Sequence, residues 1–400
     1  MLSKLRIKNF KSWKDTGEIN MAPITMFFGG NSSGKTSLLQ FLLMLKQTAE
    51  SRSYSGQVLN FDGIVNLGNF KDVVRDHENK NSIYFLISAS QRAFSRYSCE
   101  EISASIVEER KSLVIKEFHA KLPKKDKKRE DLINGEMQKM IKSVDEKDKV
   151  LRSIRWSGLI SDLTMFIDYI GPLRNFPERH YQWKNNFPSE VGKGGEFTIQ
   201  TIIASNLKNG DLEKKIAAAL KKMGLIESFR VKPISKNRDD YYEVKVKKTK
   251  FSAEVLLPDV GFGVSQILPI ITALFQSSEG ATLILEQPEI HLHPKAQIEL
   301  ADVIIDAVKE RKIQVIIESH SEHFLTRIQT RIADETISKE FAKLYFCKNE
   351  KGFSELEELV VEESGRITNW PPNFFGNMLE ETSNRVKAFR NRKTPKIKAK

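Results

Sequence analysis

The segment from Gly29 to Thr36, Gly-Gly-Asn-Ser-Ser-Gly-Lys-Thr, constrains the fold of this chain more than any other. It fits the pattern G-x-x-x-x-G-K-[ST], follows an apolar run at 24–28 and precedes leucines at helical spacing. Glycines let backbone N–H groups converge on phosphate oxygens, and the helix that follows points its positive end at the same anion. The pattern therefore predicts a strand–loop–helix unit that binds the phosphates of a nucleotide.

Two side chains of this loop carry the chemistry that a nucleoside triphosphate requires. Lys35 supplies a mobile positive charge for the β- and γ-phosphates, and Thr36 offers its hydroxyl to Mg²⁺. The predicted cofactor-binding residues of the loop are Gly29, Gly30, Asn31, Ser32, Ser33, Gly34, Lys35, Thr36 and Ser37.

Two further apolar runs end in polar side chains. The run at 281–285 is followed by Glu286, and the run at 315–317 leads to His320. In parallel sheets such strand ends line one crevice. We therefore expect Glu286 to act on the metal together with Thr36, and His320 to reach the γ-phosphate. The alternative for Glu286 is a core strand that ends in a solvated glutamate.

Composition predicts a globular protein of a reducing compartment. Hydrophobic residues make up 40% of the chain, and no apolar run approaches the ~18 residues that a membrane span needs. The N-terminus enters an alternating strand pattern without a leader peptide, and Cys99 and Cys347 are too few and too far apart for a disulfide framework. We expect a cytoplasmic location and no membrane association.

Much of the formal charge of +12 lies at the C-terminal end. Residues 385–400 hold eight Lys or Arg and no acid. Such a tail is often merely solvated, but it can also bind nucleic-acid phosphates non-specifically. A second basic cluster at 121–129 leaves the same two alternatives open, so non-specific nucleic acid stays among the candidate partners.

Several motifs follow one another in a fixed order: Asn9-Phe10-Lys11-Ser12, the Gly-rich loop, Gly261-Phe-Gly-Val-Ser-Gln266, Glu286-Gln-Pro-Glu-Ile-His-Leu-His-Pro294 and Glu318-Ser-His-Ser321. In this order they resemble the SMC/RecF/OLD branch of ABC-type ATPases. More closely, the chain resembles compact bacterial AAA-family ATP-binding proteins that lack a TOPRIM domain and have an uncharacterised C-terminal module. The segment 365–375 resembles that module.

The resemblance implies an α/β ABC-type ATPase head that binds ATP and Mg²⁺ and forms a homodimer or a higher homo-oligomer. ATP would lie between the Gly-rich loop of one protomer and the signature segment of its partner. Gly263, Ser265 and Gln266 are expected to make this contact, although Gly-x-Gly before a helix is also ordinary turn chemistry. Lys11 is expected to contact the nucleotide, and the segment 171–174 to lie near it.

The fold predicted in this way is a mixed, largely parallel P-loop sheet with an antiparallel β subdomain and a helical insertion. Residues 108–155 are rich in Lys and Glu and predict an exposed helical segment, which we place in an insertion at 91–165. The predicted segments are 1–90 (first part of the ATPase head), 91–165 (charged helical insertion), 166–346 (second part of the head), 347–384 (C-terminal module) and 385–400 (basic tail). Periodicity predicts strands at 4–10, 24–28, 82–88 and 241–247 and a helix at 212–223.

Position 287 departs from the family pattern. The strand usually ends in two acids, the first for the metal's water and the second as general base, and here the second is Gln287. An amide cannot accept a proton at neutral pH. Either Glu289 is the base, or hydrolysis is slow and Gln287 and His320 position the water. The expected catalytic residues are Glu286, Gln287, Glu289 and His320.

Two functions compete. The first is a slow ATPase switch that dimerises on ATP and regulates a partner effector, a nuclease or toxin, in an antiviral defence module. No Asp-x-Asp pair of the TOPRIM type follows His320, so a nuclease is expected to be a second protein. The alternative is a DNA-repair or chromosome-maintenance ATPase of the RecF type that binds DNA. A transporter subunit is disfavoured because the strand ends in Glu-Gln-Pro-Glu instead of Asp-Glu-Pro.

Overall fold

A computed structural model describes residues 1–51, 58–78, 81–89, 99–123, 126–143, 146–235, 238–371, 374 and 383–388. The strands are β1 (Leu2–Phe10), β2 (Trp13–Asp15), β3 (Ile19–Asn20), β4 (Ile24–Gly29), β5 (Ile83–Ala89), β6 (Glu101–Glu109), β7 (Ser112–Lys121), β8 (Ile167–Ile170), β9 (Tyr181–Gln182), β10 (Ser228–Ser235), β11 (Arg238–Lys247), β12 (Glu254–Leu256), β13 (Thr282–Glu286), β14 (Gln314–Glu318), β15 (Ala342–Glu350) and β16 (Phe353–Glu358). The helices are α1 (Lys35–Glu50), α2 (Phe70–Val73), α3 (Lys127–Lys142), α4 (Glu146–Thr164), α5 (Thr198–Leu207), α6 (Leu212–Lys222), α7 (Phe262–Gln276), α8 (Pro294–Arg311) and α9 (Glu322–Ala333).

One large sheet forms the framework of the described residues. Its order is β7-β6-β5-β1-β2-β16-β15-β4-β14-β13-β8, with β3 paired to β1. Strands β8, β13, β14, β4 and β15 run parallel, whereas β1, β5, β6 and β7 pair antiparallel. This arrangement confirms the predicted α/β class with a mixed sheet.

Side chains along β4 point alternately to the two faces of this sheet, and helices cover both faces. All six residues of β4 are buried. Met26 and Phe28 pack into a core that includes residues of α5 to α9, while Phe27 packs into a second core with residues of α1 and α4. Because both faces are apolar, β4 is fixed in the interior and the loop that follows it is held at the sheet's carboxyl edge.

Register along the parallel strands brings three chain segments together at that edge. Glu286 is the register partner of Glu318, and Glu318 is the partner of Phe27 on β4. Strand β14 therefore lies between the Gly-rich loop strand and β13. The predicted site lies where these strands end.

The prediction of an exposed helical insertion at 91–165 is wrong in its first part and incomplete in its second. Residues 91–98 lie outside the described part of the chain, and β6 and β7 form an antiparallel hairpin that extends the sheet. Apolar residues such as Ile115 and Phe118 on β7 are buried. The Lys- and Glu-rich composition of the segment therefore concealed a strand that contributes to the core. Helices α3 and α4 do follow, but Trp156 of α4 is buried against the core.

The strands predicted at 4–10, 24–28, 82–88 and 241–247 are confirmed as β1, β4, β5 and β11, and the helix predicted at 212–223 is confirmed as α6. Strands β9 to β12 form a separate four-stranded antiparallel sheet. At the C-terminal end, Phe374 packs edge-on against Phe28 of β4 and Phe346 of β15, at ring-centroid distances of 5.8 and 4.7 Å. None of the helices in the described residues is long and apolar enough to cross a membrane.

Candidate functional site

The Gly-rich loop depends on close backbone approach at its first glycine. Gly29 has φ 140°, and a Cβ at this position would lie 2.1 Å from the carbonyl oxygen of Cys347 on β15. Gly34 has φ 94°, and its carbonyl accepts a hydrogen bond from the Trp13 indole at 3.1 Å. Side chains at either glycine are therefore excluded, and helix α1 begins directly at Lys35.

Lys35 is folded back onto its own loop. Its ammonium donates to the carbonyls of Gly29 at 3.1 Å and Gly30 at 2.8 Å, and the residue is 3% exposed. Burial lowers the pKa of Lys35, although the nearby Glu318 carboxylate, 3.9 Å away, acts in the opposite direction. An anion in the loop would offer this charge better partners than two neutral carbonyls.

The loop opens into a cleft of about 560 Å³. Of the expected site residues outside the loop, Gln287 and His320 line it, whereas Glu286 and Glu289 do not. The residues that line the cleft are Ser12, Asn31, Ser32, Ser33, Gly34, Lys35, Thr36, Ser37, Gln287, Glu318 and His320.

Glu318 is the residue that the sequence reasoning missed. Its Oε1 accepts a hydrogen bond from the Thr36 hydroxyl at 2.9 Å, and the residue is 3% exposed. Burial raises the pKa of this carboxyl. Its position at the end of an apolar run is visible in the sequence, but only the register of β14 beside β4 places it against Thr36.

Glu286 lies next to Glu318 but one strand further from the loop. The Tyr169 hydroxyl donates to Glu286 Oε1 at 3.1 Å. Burial, together with the negative charge of Glu318, raises the pKa of Glu286 to about 7. Thr36 with these two carboxylates forms the kind of hard-oxygen set that suits Mg²⁺.

Arg174 fixes the backbone just after β13. Its Nη2 donates to the carbonyls of Glu286 at 3.1 Å and Gln287 at 3.2 Å. Gln287 adopts φ 43°, and its N–H donates to the Glu318 carbonyl at 2.8 Å. Arg174 is itself buried, which lowers its pKa to about 10. The predicted segment 171–174 thus contacts the cleft wall through the Arg174 side chain, which donates to main-chain carbonyls there.

Glu289 holds the segment that carries His320. Its Oε1 accepts hydrogen bonds from the Ser319 hydroxyl and from the His320 N–H, both at 2.8 Å. Burial raises the pKa of Glu289. The carboxylate is turned toward the β14 end and away from the cleft lining, while His320 itself is exposed to the cleft.

The expected signature residues lie at the start of α7, apart from this cleft. Ser265 donates to the carbonyl of Phe262 at 2.8 Å, and both Ser265 and Gln266 are buried. Gly263 is half-buried, and a Cβ there would approach the His291 carbonyl at 3.1 Å. Lys11 also lies outside the cleft lining, with its ammonium donating to the Gln40 side chain.

Comparisons of sequence identify relatives over most of the chain. A family described as AAA ATPase domain matches residues 1–190 and 196–325, and a family described as a protein of unknown function matches 337–384. A Helicobacter pylori protein named ATP/GTP phosphatase is 23% identical over 384 residues, which cover 88% of this chain and 93% of that protein.

Comparisons of structure identify SMC head domains as similar proteins. An SMC head bound to the C-winged helix domain of ScpA superposes with a TM-score of 0.52 at 15% identity, covering 91% of this chain and 98% of that one. An SMC head domain from Thermotoga maritima gives a TM-score of 0.46 at 12% identity, covering 90% and 99%. The first likeness shows that the fold is that of an SMC-type ATPase head.

Proposed function

The chain belongs to the AAA ATPase domain family and is an ATPase, and from this premise we propose that it is a slow switch. In this proposal ATP drives association of two copies, and the associated form regulates a separate effector protein. Lys35 and the loop N–H groups bind the phosphates, and Thr36 and Glu286 lie on the metal side. Mg²⁺ would neutralise the phosphate charge that develops during transfer.

The observation that carries the proposal is the cleft wall at the end of β13. Gln287 lines the cleft where the family places its second acid, and an amide can orient a water but cannot take its proton. Glu289, the other candidate base, already accepts two hydrogen bonds that hold His320. We therefore propose that Gln287 and His320 orient the attacking water and that Glu289 positions His320. Slow hydrolysis follows, because Gln287 is an amide that cannot take the water's proton and Glu289 does not line the cleft.

Association of two copies is supported by an exposed apolar patch formed by Phe176 and Phe262. Their exposed fractions are 77% and 40%. The rings of Phe176 and Phe262 lie 5.5 Å apart, and Phe262 opens the helix that carries the expected signature residues. Exposed apolar surfaces of this kind commonly mark protein–protein contacts.

Light scattering coupled to size exclusion tests the switch. With ATP and Mg²⁺ we expect the mass of the parent protein to double and to stay doubled for longer than that of the variant Gln287→Glu. The variant supplies the missing carboxylate and should hydrolyse ATP up to ~10²-fold faster. Lys35→Ala should show no ATP-dependent mass change. If the molecular mass of the parent protein does not change when ATP and Mg²⁺ are added, the proposal is contradicted.

The proposed setting is an antiviral defence module, and the proposed effector is a nuclease or toxin. This assignment rests on the resemblance of the motifs described above. It predicts that bacteria carrying the natural genes for this protein and its effector lose their protection against phage when Lys35 is replaced by Ala, while expression of the effector is unchanged. Protection that survives this variant would mean that the effector acts without ATP binding by this protein.

The alternative function, a RecF-type ATPase that binds DNA, is supported by a basic turn after β11. Lys248 and Lys250 are exposed there, and Phe251 is 99% exposed. Cations beside an exposed aromatic ring suit a nucleic-acid strand. Most of the basic tail, residues 389–400, lies outside the described part of the chain.

A further inference from the structure

We propose that Glu318 is a metal-side acid of this ATPase and that it lies nearer to the metal-binding hydroxyl than Glu286 does. The family pattern places two acids in succession at the end of one strand, and here the second position is Gln287. Glu318 comes from the neighbouring parallel strand and is the register partner of Glu286. The two acids therefore lie on neighbouring strands instead of following one another on the same strand.

Contact with the loop is the first observation that supports this assignment. The Thr36 hydroxyl donates a hydrogen bond to Glu318 Oε1 at 2.9 Å, which leaves the other lone pair of that oxygen available to a cation. The same carboxylate lies 3.9 Å from the Lys35 ammonium. Glu318 thus faces both side chains of the loop that are expected to hold the metal–triphosphate unit.

An unpaired oxygen is the second observation. Glu318 Oε2 is buried and accepts no hydrogen bond from the described residues. A buried carboxylate oxygen without a partner is unfavourable, and here the neighbouring carboxylates of Glu286 and Glu289 make it more so. A divalent cation beside Thr36, or a water bound to it, would supply the missing partner.

Glu286 differs from Glu318 in its position and in its hydrogen-bond partner. It does not line the cleft, and its Oε1 is engaged by the Tyr169 hydroxyl at 3.1 Å. Strand β14 separates β13 from β4, so Glu286 must reach past Glu318 to approach Thr36. We therefore assign the larger share of the metal interaction to Glu318 and the smaller share to Glu286.

The variants Glu318→Gln and Glu286→Gln form a matched pair for the test. Each removes one charge, keeps the side-chain length and leaves an amide oxygen that can accept the existing hydrogen bond. Mn²⁺ affinity in the presence of ADP, followed by electron paramagnetic resonance, measures the metal without turnover. We expect Glu318→Gln to weaken Mn²⁺ binding ~10–100-fold and Glu286→Gln to weaken it less, by about 3-fold.

Nucleotide binding without metal is the control. In EDTA, both variants should bind ADP at least as tightly as the parent protein, because neither variant removes a group that binds phosphate. Glu318→Asp keeps the charge and should retain more Mn²⁺ affinity than Glu318→Gln; equal losses would overturn the argument from charge. A larger loss for Glu286→Gln than for Glu318→Gln, or unchanged Mn²⁺ affinity in Glu318→Gln, would overturn the assignment itself.

Discussion

The Gly-rich loop and the crevice formed by the ends of β13 and β14 are two walls of one cleft, but they are built differently. The loop is shaped by backbone: Gly29 packs against the chain at Cys347, and Gly34 adopts a left-handed conformation. The crevice is shaped by buried ionisable side chains, among them Arg174, Glu286 and Glu318. The loop is therefore preset for an anion, whereas the crevice depends on how its charges are balanced.

Four buried polar atoms of the crevice lack a hydrogen-bond partner among the described residues, whereas the loop has one such atom, Ser33 Oγ. Among the described residues, Arg174 Nε and Nη1, Glu289 Oε2 and Glu318 Oε2 are buried without a partner. Such groups are costly in a folded protein, and they occur where a ligand or a second arrangement completes them. We infer that the loop backbone binds nucleotide with little rearrangement, although the Lys35 side chain leaves its carbonyl partners, while the crevice rearranges in response to the nucleotide.

The variant Lys35→Ala tests the anion-binding role of the loop and should have the largest effect on ATP binding. Lys35 is the loop's own cation, and each hydrogen bond to a charged group contributes about 1.5–3 kcal/mol. We expect ATP affinity to fall at least ~100-fold in calorimetric titration with Mg²⁺. The exposed Lys14, on β2, gives the control Lys14→Ala, which should bind ATP as the parent does. Parental affinity in Lys35→Ala would remove the nucleotide from this loop.

Arg174→Met tests the crevice side. The variant removes the donor to the carbonyls of Glu286 and Gln287, so the cleft-lining Gln287 loses its fixed orientation. We expect kcat to fall ~10–100-fold while KM for ATP changes little, because the loop that binds phosphate is untouched. Arg311→Met is the matched control, since Arg311 also donates Nη2 to a buried carbonyl, that of Ser277, away from the cleft.

Equal losses of kcat in the two arginine variants would mean that a buried donor matters only for stability. A rise in KM without a fall in kcat in Arg174→Met would shift its role from the strand end to nucleotide binding. Either result would weaken the distinction between a preset loop and an adjustable crevice.

Glu286→Gln tests whether charge balance in the crevice affects stability. Because the folded-state pKa of Glu286 is raised to about 7, the folded protein holds a proton that the unfolded chain releases near pH 4.5. Stability from this group is therefore present below pH 4.5 and is lost as the pH rises through 7. Without Mg²⁺, we expect the variant to exceed the parent's free energy of unfolding by about 1–3 kcal/mol at pH 8.

Urea unfolding at pH 5 and pH 8 measures this difference. The gain of Glu286→Gln should shrink markedly at pH 5, because the parent's folded carboxyl is then protonated and the pH is only about half a unit above the pKa of the unfolded chain's carboxyl. A gain that is equal at the two pH values would assign it to packing or hydrogen bonding instead of charge.

The two regions also differ in how far the sequence predicts them. Residues 29–36 are contiguous, so their chemistry can be predicted without knowing the fold, and the apolar run at 24–28 fixes the strand before them. Glu318 and Glu286 are both visible as strand ends. However, their relation to Thr36 depends on β14 lying between β4 and β13, and strand order is a long-range property that no local pattern contains.

Side-chain direction is the other limit of sequence-based prediction here. The position of Glu289 in Glu-x-Pro-Glu is compatible with a base, and only the structure shows its carboxylate bound to Ser319 and His320. The helix predicted across β7 is wrong because the Lys and Glu residues of this strand obscure the buried residues Ile115 and Phe118. In both cases the missing information is the neighbour that the side chain packs against.

Deleting residues 385–400 should have the smallest effect on the chemistry of either wall. The deletion removes eight cations, and none of them belongs to the motifs that are expected to bind the nucleotide. We expect ATP turnover without DNA to be unchanged.

If the protein binds duplex DNA through the tail, the slope of log affinity against log salt should fall by about 0.9 for each phosphate that the tail no longer neutralises. The comparison variant Lys248→Ala with Lys250→Ala tests the basic turn in the same assay. A slope altered by the turn variant and not by the deletion would place DNA on the β9–β12 sheet. Turnover altered by the deletion alone would connect the tail to the cleft and contradict the separation argued above.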